Sequence, residues 1–405
     1  MRLLFSALIA LVTIPGPLAA ASLREAADAR AAGMNAAALR KVDAIIEKAI
    51  KDQVTPGAAL AVGRNGQLVR LRGYGRTGYG VGAPRVNEHT LYDLASLTKT
   101  VGTTSAVMLL VQRGELELDR PIAEYLYEWR DARDRAGMTV RHLLNHTSGL
   151  PVGGPLRGVG NDRERIPAFM AAIPMQSVPG TRYAYSDYGM ILLGAIVERI
   201  SCQRLDRFLA AELLVPAGML ETTFSPLGPR DDDPEASPFR LAHSSPVELR
   251  THIAPTERTA QRGTIHGVVH DPLAYRLDGV AGHAGMFSSA HDLALYCQLL
   301  LAGGTSDSSR IFSPEVIAEF SRRPSAKARF ALGWELARED GPSGSLFPAS
   351  SFGHTGFTGT SVWLDPEHGL YVVLLTNRLH PNSRESRHIQ LRKDVHDAVQ
   401  RALVT

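Results

Sequence analysis

The chain has little of what several large protein classes require. Only two cysteines, Cys202 and Cys297, occur in 405 residues, too few and too far apart for a disulfide framework. Basic and acidic residues nearly cancel, 44 against 41, for a formal net charge of +3. With no basic stripe and no RNP-like aromatic motif, nucleic acid is not an expected partner. No stretch approaches 18 uninterrupted apolar residues, so no membrane span is expected. A G-x-S-x-G elbow is missing, which disfavours an α/β-hydrolase, and no internal repeat is apparent.

What remains is enough for a full hydrophobic core. With 44% apolar residues, the length allows two domains, or one large domain carrying an insertion. Residues 1–21 stand apart: Arg2, an apolar run from Leu3 to Ile14, the breaker Pro15-Gly16-Pro17, then Ala19-Ala20-Ala21. This reads as a secretory signal peptide, its apolar run too short to span a bilayer. No cysteine follows the small-residue site, so a lipoprotein anchor is not indicated. The expected product is exported, with the periplasm as its address.

Along the rest of the chain the pattern shifts twice. A helix is expected over Asn35 to Asp52, with Leu39, Val42, Ile45, Ile46 and Ile50 on one side. Ala58 to Val62 and Gln67 to Leu71 are extended runs around Asn65-Gly66, a strong hairpin signal. Residues 119–267 read as helix and loop, including an acidic solvated loop at Asp231-Asp232-Asp233. Strands then return at Phe330 to Leu336, Thr360 to Leu364 and Leu370 to Thr376, followed by a helix from Ser383 to Leu403. Ser289-Ala290-His291-Asp292 caps another helix, in which Cys297 is a core residue. The expected fold is α/β (α+β): an antiparallel sheet built from both chain ends and flanked by helices. The sheet domain is discontinuous, 22–118 and 268–405, with 119–267 an inserted, mainly helical region.

The most informative fragment is Ser96-Leu97-Thr98-Lys99. The segment Leu97 to Arg113, rich in Thr, Val, Met and Leu and free of Pro, reads as a buried helix that Ser96 opens. Residues three apart share a helix face, so the Lys99 amine reaches the Ser96 hydroxyl without a long-range accident of folding. In an apolar pocket the Lys99 pKa is expected to fall, and the neutral amine can then take the serine proton. The helix N-terminus supplies partial positive charge and backbone N–H groups for an oxyanion. On these residues alone an N-capping Ser with a surface Lys one turn on is an equal reading.

Two further fragments follow in order, Tyr185-Ser186-Asp187 and His354-Thr355-Gly356. Together the three resemble the serine β-lactamase and penicillin-binding protein superfamily, in its class C β-lactamase-like branch with D-alanyl peptidases and family VIII esterases. The stretches Leu143 to Pro151 and Gly279 to Ser288 look like signatures of that branch, and the likeness runs from about Asn35 to the C-terminal helix. The resemblance implies the serine β-lactamase fold, Ser96 as the acyl-forming nucleophile, Lys99 as its activator and Tyr185 as proton relay. It implies an oxyanion hole from the backbone N–H groups of Ser96 and Phe357, and substrate binding by Asp187, His354, Thr355 and Gly356.

Two positions depart from that pattern. Asp187 stands where Asn is usual, replacing an amide donor by a carboxylate, and His354 replaces a Lys, removing a permanent positive charge. Both changes weaken attraction for anionic β-lactams and D-Ala termini. His266 and His270, beside Asp271, sit in loop sequence and not on a helix, so no metal site is expected there, and Glu257 reads as an exposed turn acid. The expectation is an exported serine hydrolase working through an acyl-enzyme on an ester or amide, without metal or organic cofactor. Its substrate would be a small ester, a β-lactam or a peptidoglycan-derived peptide. The alternatives are a class C-like β-lactamase or D-alanyl-D-alanine carboxypeptidase, and, in another class, a non-catalytic penicillin-acylated receptor or structural member of the fold.

Overall fold

A computed structural model describes residues 23–154, 162–227, 246–307, 309–382 and 384–404. The signal-peptide segment and the Asp231-Asp232-Asp233 loop lie outside these residues. Six antiparallel strands form the main sheet, in the order β2 (Gln67–Gly75), β1 (Gly57–Arg64), β11 (Leu370–Thr376), β10 (Ser361–Asp365), β9 (Phe352–Thr355) and β8 (Glu335–Leu336). Strands from the two chain ends meet at β1 and β11, where Leu60 pairs with Leu374 and Val62 with Val372. The sheet is thus built from both termini, as expected.

Strand periodicity explains why β1 and β11 are apolar throughout and do not alternate. Side chains two apart share a face. Ala58, Leu60, Val62, Leu370, Val372 and Leu374 pack on one side with Leu39, Val42 and Ile46 of the helix Ala36–Lys51 and Leu391, Val395 and Val399 of the helix His388–Gln400. Ala59, Ala61, Tyr371, Val373 and Leu375 join the core on the other side, with Leu293 and Cys297 of the helix Ala290–Leu301. Both faces are covered, so neither can be polar. Cys297 is buried, Cys202 is exposed, and both are free thiols.

Two expectations need correction. Phe330 to Leu336 is not one strand: Phe330 bridges back to Glu335, Gly333 (φ 78°) turns the chain, and only Glu335–Leu336 joins the sheet. The helix after Ser96 is not uniformly α. It passes through a buried π-helical stretch, Thr98–Thr104, before the α-helix Ser105–Gln112, a distortion often found at functional sites.

A small second sheet was not anticipated. It comprises β3 (Tyr92–Asp93), β7 (Met286–Ser288) and β4 (Thr223–Phe224), with β7 central. Each strand is only two or three residues long, below the length at which a hydrophobic pattern can be read. β3 leads straight into Ser96. No helix among the described residues is long and apolar enough to cross a membrane.

Candidate active site

Ser96 sits on a sharp turn immediately after β3. Ala95 adopts a left-handed conformation, φ 47°, which is costly for a residue with a Cβ. The turn is held from several sides: the Asp93 carboxylate accepts the Ala95 N–H at 2.9 Å, and the Leu94 N–H donates to the Met286 carbonyl at 2.9 Å. The Thr358 and Thr360 hydroxyls donate to the carbonyls of Asp93 and Leu94. Thr358 and Thr360 belong to the β9–β10 turn, so the sheet edge is locked onto the Ser96 turn. Gly356 is needed for that approach, because a Cβ there would stand 2.1 Å from Thr360 Oγ1 and 2.3 Å from the Leu94 carbonyl.

Lys99 reaches Ser96 as the spacing predicts. Its Nζ lies 2.9 Å from Ser96 Oγ, 3.0 Å from the His283 carbonyl and 2.8 Å from Asp187 Oδ1, with the side chain 1% exposed. Three acceptors around three N–H donors suit an ammonium. Burial pushes the Lys99 pKa down, but the Tyr185 and Asp187 charges and their hydrogen bonds outweigh it, and the net direction is up. The direction is opposite to the depressed lysine that burial alone implies. Sequence reasoning placed Asp187 in the site as a substrate-binding residue and did not pair it with Lys99.

That carboxylate comes from the start of the helix Asp187–Ser201, which Ser186 caps by accepting the Gly189 N–H. The helix N-terminus favours a negative charge at its first residue. Tyr185, one residue before the cap, lies against Lys99 with Nζ 5.0 Å from the ring centre. Burial raises its pKa, Lys99 lowers it, Asp187 raises it again, and the Ser96 hydroxyl lowers it; the net direction is up.

Two residues inside the signature stretches act as props, and sequence reading did not single them out. His146 accepts the Ser186 N–H on Nδ1 at 3.2 Å, and its ring centre is 4.5 Å from that of Tyr185. Burial, with Lys99 and His354 nearby, holds its pKa well below the ordinary histidine value. His283 supplies its carbonyl to Lys99, while its ring Nε2 pairs with Asp271 Oδ1 at 2.9 Å. Gly282 permits this: a Cβ there would meet the Met190 carbonyl at 2.0 Å.

The sheet side departs from expectation at His354. It is only 3% exposed, lies beneath Tyr185 with ring centres 6.0 Å apart, and donates from Nδ1 to the Thr355 carbonyl at 2.7 Å. Burial, and then the Lys99 charge, push its pKa down to about 3. It is neutral and covered, so it offers no cation to a substrate carboxylate.

Beyond it, Arg392 Nη2 donates to the Gly356 carbonyl at 2.6 Å. In a trans peptide the C=O and the next N–H point in opposite directions, so this anchor aims the Phe357 N–H away from Arg392. Among the described residues, neither the Ser96 nor the Phe357 N–H has a backbone acceptor. The Phe357 side chain is 57% exposed.

Other candidates fall elsewhere. His266 bonds to backbone carbonyls of Arg250 and Ile253, and His270 pairs with Glu257 at 2.9 Å. Glu257 is therefore a partly buried hydrogen-bond partner and not an exposed turn acid. A cavity of about 460 Å³ beside Lys99's partner is lined by Gly153, Asp187, Asp271, Leu273 and Arg276, among others.

Known proteins share this architecture. The β-lactamase family model matches residues 42–397. An N-acetylmuramyl-L-alanine amidase of Bacillus subtilis is 32% identical over 84% of this chain and 81% of its own. A Salmonella typhimurium protein provisionally named a D-alanyl-D-alanine carboxypeptidase is 30% identical, over 86% and 84%. Among solved structures, a penicillin-binding protein homologue from Caulobacter crescentus superposes with TM-score 0.70 at 20% identity, covering 90% of this chain and 99% of its own. EstCE1, a hydrolase with promiscuous acyltransferase activity, gives 0.66 at 20% identity, covering 89% and 98%. The chain belongs to the β-lactamase family and is a serine hydrolase of that family.

Proposed function

We propose that the protein hydrolyses an ester or amide through an acyl-enzyme on Ser96. The observation that carries this reading is the 2.9 Å contact between Ser96 Oγ and a Lys99 ammonium that is itself saturated by Asp187 and the His283 carbonyl. An ammonium cannot accept the serine proton. The acceptor is then Tyr185, as its phenolate: Ser96 Oγ attacks the acyl carbon as its proton passes to Tyr185, with Lys99 stabilising both oxyanions. Collapse of the tetrahedral intermediate expels the alcohol or amine, protonated by Tyr185, and water enters by the reverse route. The oxyanion is received by the N–H groups of Ser96 and Phe357, the latter aimed by Arg392.

The substrate class follows from the charges. The cavity beside Asp187 holds two carboxylates, Asp187 and Asp271, and one guanidinium, Arg276, and the buried His354 adds no positive charge. Neutral acyl donors fit best: short-chain esters and amide bonds of cell-wall peptides, with penicillins poor substrates or slow acylating inhibitors. The names of the curated relatives, an amidase and a provisional carboxypeptidase, support the cell-wall member of this pair. Residues 1–21 support export to the compartment where such peptides occur. In the same reading, region 119–267 is the insert that carries Tyr185 and Asp187 to a nucleophile mounted on the sheet domain.

Mass spectrometry of the intact protein with a slow ester or a fluorophosphonate tests the reading. One adduct per chain, mapping to Ser96, is expected. An adduct elsewhere, or a Ser96→Ala protein that keeps most of its activity, would overturn it. Stoichiometric acylation without turnover of any ester or amide would instead mark a receptor.

A further inference from the structure

The small sheet has two ends, and only one of them faces Ser96. β7 runs antiparallel between β3 and β4, so the starts of β3 and β4 and the end of β7 fall on the opposite edge. There His89, just before β3, Glu221, just before β4, and His291, just after β7, bring one ligand atom each to within 4.8 Å of one another. His89 Nδ1 is 2.8 Å from Glu221 Oε1, and the two imidazole rings are 5.3 Å apart. No spacing motif announces the trio, because its members come from three distant segments.

The surroundings are arranged as for metal ligands. His291 Nδ1 bonds to Asp292 Oδ1 at 3.2 Å, leaving Nε2 as the nitrogen for a cation. The other Asp292 oxygen is held by the Glu221 N–H and the Thr222 hydroxyl, each at 2.8 Å. The second Glu221 oxygen accepts from the Ser289 hydroxyl. Carboxylate-anchored imidazoles and anchored carboxylates are the usual outer shell of a metal site. Glu88 Oε1, 3.9 Å from His89 Nε2, adds negative charge.

We propose that His89, Glu221 and His291 bind one divalent transition-metal ion of the zinc type. Two imidazoles and a carboxylate are a borderline donor set that favours zinc over magnesium or calcium. Metal bonds of about 2.0–2.1 Å place tetrahedral ligand atoms roughly 3.4 Å apart. The His89 side chain, 46% exposed, has room to rotate toward the ion. The ion takes the place of the direct His89–Glu221 contact, and water completes its shell. It clamps three strand ends, and β3 is the mount of Ser96. The role is structural, remote from the reacting bond and independent of the acyl-enzyme reading.

The test uses the full chain stripped with EDTA and titrated with Zn²⁺ by calorimetry and thermal melting, with Mg²⁺ and Ca²⁺ as controls. One equivalent of Zn²⁺ should bind and raise Tm, and the controls should do neither. His89→Ala, His291→Ala and the isosteric Glu221→Gln should each weaken Zn²⁺ binding by at least about tenfold while keeping the circular dichroism and ester turnover of the parent. Co²⁺ substitution gives a readout on the unaltered chain: d–d bands of a low-symmetry nitrogen and oxygen site are expected. A hexaaquo Co²⁺ spectrum, no Zn²⁺-dependent rise in Tm, or undiminished Zn²⁺ binding in all three variants would overturn the proposal.

Discussion

On the helical side of the cleft, charge is in direct contact with the groups that would react: Lys99 Nζ lies 2.9 Å from Ser96 Oγ, 2.8 Å from Asp187 Oδ1 and 5.0 Å from the Tyr185 ring centre. On the sheet side, charge stands behind the peptide plane. Arg392 and Arg378 donate to the carbonyls of Gly356 and Phe357, and His354 is buried and neutral. The difference teaches a division of labour. Proton transfer needs groups that change charge, and in the proposed reading those are the side chains carried by the helix that follows Ser96 and by the segment that opens the helix Asp187–Ser201. An oxyanion needs dipoles that stay fixed, and those come from a turn locked by threonine hydroxyls and arginines. Loss of a helical-side group should therefore change both rate and pH profile, whereas loss of a sheet-side group should change rate alone.

The largest expected effect is at Ser96 and Lys99. Ser96→Ala and Lys99→Ala should each lower kcat/KM by at least about 10⁴-fold, and the double variant should lose little more, because residues acting as one unit are not additive. Additive losses would separate the two. Tyr185→Phe comes next, with a loss of roughly 10²–10⁴-fold and disappearance of the alkaline rise in rate. An unchanged profile would remove Tyr185 from proton transfer.

Sheet-side changes should be smaller and flat with pH. Arg392→Gln frees the Gly356 carbonyl and lets the Phe357 N–H swing. The loss in kcat should stay below the roughly 10²–10³-fold of deleting an oxyanion donor outright, with KM and the pH midpoint unmoved. A shifted midpoint would break the comparison between the two sides. His354→Gln should matter least, within about fivefold, because no charge-assisted hydrogen bond worth about 1.5–3 kcal/mol is lost. The ratio of rates on carboxylate-bearing and neutral esters should stay the same. Steady-state kinetics on such a substrate pair checks it.

Much of this arrangement is local and so was readable from the chain. Ser96 and Lys99 meet because they are three residues apart, Asn65-Gly66 makes the β1–β2 hairpin with both residues at positive φ, and β11 follows the apolar run Leu370 to Thr376. What could not be read depends on groups brought from far away. The upward push on the Lys99 pKa comes from Tyr185 and Asp187, and its third acceptor is the His283 carbonyl, all far along the chain. His354 was placed in the site by resemblance, but its burial beneath Tyr185 and Phe330 depends on tertiary packing. The strands of the small sheet are too short to show a period, and the His89, Glu221 and His291 cluster at its edge has no pattern in sequence.

The pH dependence of acylation in wild type and Asp187→Asn, followed by pre-steady-state burst with an activated ester, tests the central claim most directly. Asp187 raises the pKa of both Lys99 and Tyr185, so wild-type acylation should climb as pH rises above neutrality and a growing fraction of the base is deprotonated. Removing the carboxylate lowers both pKa values, and the climb in Asp187→Asn should move to lower pH. A midpoint that stays in place, or moves to higher pH, would contradict the assignment of Lys99 as an ammonium paired with Asp187 and of Tyr185 as the acceptor of the Ser96 proton.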